Sequence, residues 1–183
     1  MSKHARPYAQ SKKQRLGQLL EQNRLTEAKS LLAELCRHDV GDAQLWLMYG
    51  AVNQQLGDND AAATAYGKAV AMQPELAVGH YQFGTLCLEA GRTEEAINSL
   101  QRATTLQPDF LEAWCNLGSA LEKLGRHTEA MDYYQRALRF NPGIPELHYN
   151  LGNMLQALGH HKEAERSYQE AIRLRPGYVE AHD

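Results

Sequence analysis

The sequence predicts an all-α chain built from about five helix–turn–helix repeats. Three observations carry that expectation. Gly50, Gly84, Gly118 and Gly152 stand 34 residues apart, and Gly57, Gly91, Gly125 and Gly159 keep the same interval. Within each period, apolar residues fall at helical spacing in two stripes, the mark of paired amphipathic helices. No stretch alternates β-branched and polar residues, so no strand is expected.

Composition removes several classes. A chain of 183 residues suits one domain or two small ones. With 43% hydrophobic and 22% charged residues it is too apolar for disorder. No apolar run nears the roughly 18 residues of a membrane span. The opening MSKHARPYAQSKKQR has no apolar stretch behind its basic residues, so it is no secretory signal. A net charge of -3 argues against a nucleic-acid partner. Cys36, Cys87 and Cys115 stand far apart without a CxxC pair, which disfavours disulfides or a thiolate zinc site. A reducing, cytoplasmic setting is the expectation.

Residues 1–8 read as a basic leader. The first 15 residues hold Lys3, Arg6, Lys12, Lys13 and Arg15, and all 22 acids lie behind them. A solvated, frayed terminus explains this, and attraction to an acidic partner is the alternative. The first repeat, 9–42, departs from the others. Leu16 replaces the small glycine, Asn23 the helix-closing glycine, Leu35 an alanine and Val40 a proline. Asparagine tolerates left-handed geometry, so the turn should survive, and a degenerate first repeat fits a capping unit.

The remaining repeats are 43–76, 77–110, 111–144 and 145–178. The fourth is the clearest. Trp114, Leu117, Leu121 and Leu124 make the first stripe, and Gly125 suits the left-handed residue that closes a helix. Ala130, Tyr134, Ala137 and Leu138 make the second, which Asn141-Pro142 stops. In the fifth, Pro145 opens the first helix, where a missing N–H costs nothing. The columns have steric reasons. Glycine at the eighth place, with alanines at Ala62, Ala96, Ala130 and Ala164 and at Ala69, Ala103, Ala137 and Ala171, lets the two helices approach closely. Trp46 and Trp114 at the fourth place, and Tyr66, Leu100, Tyr134 and Tyr168 at the twenty-fourth, fill the gaps. Residues 179–183 match the opening of a sixth repeat. The expectation is a piece of a longer protein, with a bare apolar face near Ala164, Tyr168 and Ile172 able to self-associate.

The pattern W-x2-L-G, then alanine, a bulky residue, alanine and proline, resembles the tetratricopeptide repeat. Trp114, Leu117, Gly118, Leu121, Ala130, Tyr134, Ala137 and Pro142 show it most fully, and the resemblance covers residues 9–178. It implies a right-handed superhelical solenoid whose concave groove, lined by each repeat's first helix, holds a protein or extended peptide. It also implies which places face the groove. The fifth holds Leu47, Tyr81, Cys115 and Tyr149. The sixth holds Met48, Gln82, Asn116 and Asn150. The ninth holds Ala51, Thr85, Ser119 and Asn153, and the twelfth Gln54, Leu88, Glu122 and Gln156. Amide side chains offer donors and acceptors together, which suits an extended peptide backbone. Asn116, Asn150 and Asn153 with Tyr149 form the favoured cluster. Family members that clamp acidic chaperone tails use a fifth-place lysine, and the expectation here is that no fifth-place residue is basic, so that use is disfavoured. The sixth-place asparagines are similar to the arrays ahead of O-GlcNAc transferase-type catalytic domains.

No catalytic, metal or cofactor constellation emerges. His80, His148 and His182 share the fourth place with the tryptophans, so their spacing reflects the repeat, and packing is the expectation. His161 and Glu165 are too few to hold a metal. Cys87 is expected to be buried, and nothing activates Cys115. Glu94-Glu95 opens a second helix, where the helix dipole favours acids. The leading function is a non-catalytic protein- or peptide-binding scaffold. The alternative is the substrate-selecting arm of a larger enzyme, of glycosyltransferase or sulfotransferase type.

Overall fold

The computed structural model describes residues 5–38 and 41–177, with side chains from Gln10 onward. Among the described residues every regular element is a helix, and each predicted repeat supplies two. The chain divides into two compact units, Met1–Leu86 and Cys87–Asp183, each described by itself.

The first unit holds α1 (Ala5–Glu21), α2 (Leu25–His38), α3 (Ala43–Gln55), α4 (Asn59–Met72) and most of α5 (Ala77–Glu89). Successive helices from α1 to α4 pack on one another. The leader expected at 1–8 is helical from Ala5, and residues 1–4 lie outside the described residues. Pro7 does not prevent this, because the first turn of a helix has no partner for its N–H. The core of the unit joins Leu16, Leu19, Leu32, Leu35, Cys36, Leu45 and Val52. Leu16 and Leu35, two of the four first-repeat departures, are therefore buried rather than merely tolerated. Leu16 is accommodated because Leu32, not tyrosine, stands at the twenty-fourth place.

The second unit holds the end of α5, then α6 (Thr93–Leu106), α7 (Leu111–Lys123), α8 (His127–Phe140), α9 (Pro145–Ala157) and α10 (His161–Leu174). Neighbours from α6 to α10 pack in order, and the first helices α7 and α9 also touch. Ala96, Ala103, Ala113, Leu117, Leu121 and Ala130 have no exposed surface. Cys87 is likewise fully buried, and burial raises its thiol.

Each helix pair is closed by the same turn. Asn23, Gly57, Gly91, Gly125 and Gly159 all have positive φ, from 55° to 81°. After α7, Gly125 N–H donates to Glu122 O at 2.8 Å and Arg126 N–H to Leu121 O at 2.9 Å. That is the Schellman arrangement, and Asn23 and Arg24 reproduce it at the end of α1. The close approach expected from the glycine column is equally concrete. A Cβ on Gly50, Gly118 or Gly152 would lie 2.5, 2.1 or 2.5 Å from the ring of Tyr66, Tyr134 or Tyr168.

The second helices enter in a way the sequence reading missed. Asp58 caps α4 by accepting from Ala61 N–H at 3.2 Å. At the same place Arg126 gives α8 no side-chain cap and instead grips Glu129 through Nε and Nη2, each at 2.7 Å. Arg24–Glu27, Arg92–Glu95 and His160–Glu163 repeat that i,i+3 pairing. Such exposed pairs add little stability.

On α10 the expected bare face is only partly covered, Tyr168 being half-buried where Tyr66 and Tyr134 at the same place are 2% and 1% exposed. Ala164 is buried, and Tyr168 and Ile172 are half-buried. Tyr168 turns inward onto Gly152 of its own repeat. The sixth-repeat fragment 179–183, with His182, and Val40 lie outside the described residues.

Candidate functional site

The fourth-place residues pack as expected. Trp114 Nε1–H donates to Pro108 O at 2.9 Å. His80 and His148 place Nε2 at 3.1 and 2.8 Å from the Pro74 and Pro142 carbonyls. A carbonyl only accepts, so each imidazole carries its proton on Nε2. In the third, fourth and fifth repeats the preceding proline thus supplies the acceptor for the fourth-place residue. Among the described residues no set of three or more His, Cys, Asp or Glu side chains could hold a metal ion.

In the first unit the residues expected to face the groove are Leu47 on α3 and Tyr81, Gln82 and Thr85 on α5. All four are half-buried. Leu47 packs against the Ala62–Tyr66 cluster, and its Cδ2 lies 3.2 Å from where a Gly79 Cβ would stand. It is therefore a packing residue more than a lining one. Thr85 Oγ1 donates to Tyr81 O at 3.0 Å, so the hydroxyl proton serves its own helix. The expectation of no basic fifth-place residue is corrected by Lys13, which occupies that place in the first repeat and pairs with Asp42 at 2.7 Å.

The second unit holds the favoured cluster. Cys115, Asn116, Ser119 and Glu122 lie on α7, and Tyr149, Asn150, Asn153 and Gln156 on α9. Helical spacing puts each set on one stripe, and the two helices touch. Cys115, Asn116, Tyr149, Asn150 and Asn153 are half-buried, whereas Ser119, Glu122 and Gln156 are exposed.

Tyr168 on α10 organises this stripe. Its Oη lies 2.8 Å from both Asn153 Oδ1 and Gln156 Oε1. One phenolic proton can serve only one of them, so the other amide turns its NH2 toward the phenol oxygen. The Tyr168 ring also lies 5.9 Å from that of Tyr149. Tyr66 holds Gln54 in the same manner at 3.1 Å. The sequence reading assigned these tyrosines to filling space only. Their recurrence twelve residues after a glutamine was the available signal. Asn150 differs from its neighbours: among the described residues no hydrogen bond engages its amide.

The electrostatics suit neutral recognition. Burial, with the fields of Glu146 and Glu112, pushes the Cys115 thiol up to about 11. It stays protonated at neutral pH and is no nucleophile. Burial, with the fields of Cys115 and Glu122, likewise raises the Tyr134 phenol. Glu112 and Glu122 on α7 and Glu146 on α9 repel an acidic ligand here.

Comparison with known proteins agrees with this geometry. Tetratricopeptide-repeat family profiles match residues 18–77, 81–145 and 145–178. No curated protein matches the chain in sequence. Among solved structures, a MamA protein is similar at 19% identity and a TM-score of 0.83, covering 93% of each chain. MamA from Desulfovibrio magneticus RS-1 is similar at 22% identity and 0.78, covering 93% of this chain and 96% of that one. YrrB, a TPR protein with an unusual peptide-binding site, is similar at 23% identity and 0.80, covering 91% and 86%. At these identities the likeness is one of fold, that of the tetratricopeptide solenoids.

Proposed function

The chain belongs to the tetratricopeptide-repeat family, and on that footing we propose that it is a non-catalytic scaffold binding an extended peptide along its first helices. The observation that carries the proposal is the half-buried, unengaged amide of Asn150 beside the Tyr168-held amide of Asn153. An amide pair of this kind can bond a peptide's N–H and C=O groups, whatever its side chains. Tyr149 offers an aromatic face next to them. Fixing the amides beforehand lowers the ordering cost of binding. YrrB, as a peptide-binding TPR protein of the same fold, supports the reading.

Selection from a random-peptide display library tests it. Peptides enriched on the wild-type chain are expected to lose binding to Asn150→Ala and Asn153→Ala chains whose helical circular dichroism is unchanged. Failure to enrich peptides, or retention by both variants, would sink the proposal. A second reading rests on Asn116 and Asn150, which share the sixth place on touching helices. There the stripe would select substrates for a glycosyltransferase- or sulfotransferase-type catalytic domain. Sequencing the gene past codon 183 and finding no such domain would remove it.

A further inference from the structure

None of the groove residues lines the cleft of about 660 Å³ between α6, α7 and α8. Trp114, only 6% exposed, forms part of its floor, its ring centroid 6.5 Å from that of Phe140 with the planes 25° apart, and 5.8 Å from that of Tyr133. Phe140 is 58% exposed, more than any other large apolar side chain among the described residues. Gln101 Nε2 donates to Tyr133 Oη at 2.9 Å and fixes that ring. The Arg136 guanidinium lies 5.5 Å from its centroid. Arg136 and Arg139 both line the cleft, and no Asp or Glu does. Among the described residues neither guanidinium has a carboxylate partner. Arg92, Arg126, Arg173 and Arg175 of the same unit each have one.

The layout recurs. A cleft of about 510 Å³ in the first unit is lined by Cys36, Trp46, Ala65 and Lys68, again without an acid. These residues stand 68 positions before Thr104, Trp114, Tyr133 and Arg136. Lys68 Nζ lies 4.2 Å from the Trp46 ring centroid. The repeat does not impose the cation, since the fifth repeat has Glu170 there, paired with Arg173.

We propose that the α6–α7–α8 cleft is a second binding site, for an acidic protein segment carrying an aromatic residue. The aromatic ring stacks on the Trp114–Phe140 face, and flanking carboxylates pair with Arg136 and Arg139. The exposed Phe140 ring, backed by the buried Trp114 and flanked by unpaired arginines, can anchor such a contact, because arginine binds carboxylates in a bidentate fork. The site is independent of the peptide-binding stripe proposed above and stands if that one fails.

The chain has two tryptophans, so Trp46→Phe leaves Trp114 as the sole reporter. The probe is a blocked Glu-Asp-Phe-Glu-Asp peptide. A saturable change in Trp114 emission is expected, weakened about tenfold or more by R136A/R139A and unaffected by N150A/N153A. A peptide with alanine for phenylalanine should bind at least about tenfold more weakly. No saturable change up to about 1 mM peptide would overturn the proposal. So would equal affinity for R136A/R139A, or equal binding of an all-glutamate peptide, which would show generic anion attraction. Calorimetry on the wild-type chain with the same peptides covers the case in which Trp46→Phe unfolds.

Discussion

Gly118→Ala isolates the packing rule on which every repeat rests. The new Cβ would lie 2.1 Å from Tyr134 Cζ, 2.2 Å from its Oη and 2.4 Å from Cε1. Tyr134 is 1% exposed and its ring is rigid, so it cannot swing aside cheaply. Forcing one carbon into such a core costs about 1–3 kcal/mol. Alanine's better helix propensity returns at most about 1 kcal/mol. At so short a contact the cost falls in the upper part of that range, about 2–3 kcal/mol, and the expected net loss is about 1–2 kcal/mol. Gly17→Ala in α1 is the control, since no atom lies within 4 Å of its Cβ. It should gain about 0.5–1 kcal/mol, so one substitution acts with opposite sign at two sites. Urea unfolding followed by Trp114 emission in a Trp46→Phe background reads the second unit. A double-mutant cycle with Tyr134→Leu should show favourable coupling of about 1 kcal/mol or more. Leu32 opposite Leu16 in the first repeat shows that the fold accepts leucine there. A Gly118→Ala chain as stable as wild type, or a cycle without coupling, would refute the reasoning.

Other outcomes follow from the same geometry. Tyr168→Phe should cost about 1 kcal/mol and weaken any selected peptide, because Asn153 and Gln156 lose their shared partner; unchanged calorimetric affinity would contradict this. Cys115 should resist iodoacetamide in the folded chain up to about pH 9, since its thiol titrates near 11. Rapid labelling at neutral pH, mapped by mass spectrometry, would count against that environment. Burial alone would raise the Asp42 carboxyl, but hydrogen bonds from Lys13 and from Leu45 and Gln44 N–H hold it below its ordinary 3.8. A depressed carboxyl stabilises above its unfolded pKa and loses that contribution as pH falls through the folded value. Asp42→Ala should thus cost about 1 kcal/mol at pH 7 and progressively less below about pH 4, measured by urea midpoints.

The architecture was legible because it is written in backbone demands and volumes. Gly125 was readable as a left-handed residue, and Asn23 as its stand-in, since few residues occupy positive φ. The Gly118–Tyr134 contact was readable because a small residue faced a large one at a fixed offset. The candidate site was less legible. Family resemblance named the stripe, but Leu47 proved to be interlocked with Gly79, and Thr85 to serve its own helix. Hydrogen-bond direction and partner choice depend on side-chain rotamers, which periodicity does not encode. Tyr168 was missed for that reason, its ring filling space while its hydroxyl fixes Asn153 and Gln156. The Arg136–Arg139 cleft was missed because its charges come from second helices that the groove argument set aside.

Backbone amide chemical-shift mapping of a display-selected peptide tests the central claim most directly. Shifts are expected to concentrate at Cys115, Asn116 and Ser119 on α7 and at Tyr149, Asn150 and Asn153 on α9, and to vanish in N150A/N153A. Shifts confined to the outward faces of α8 and α10, with α7 and α9 silent, would contradict it.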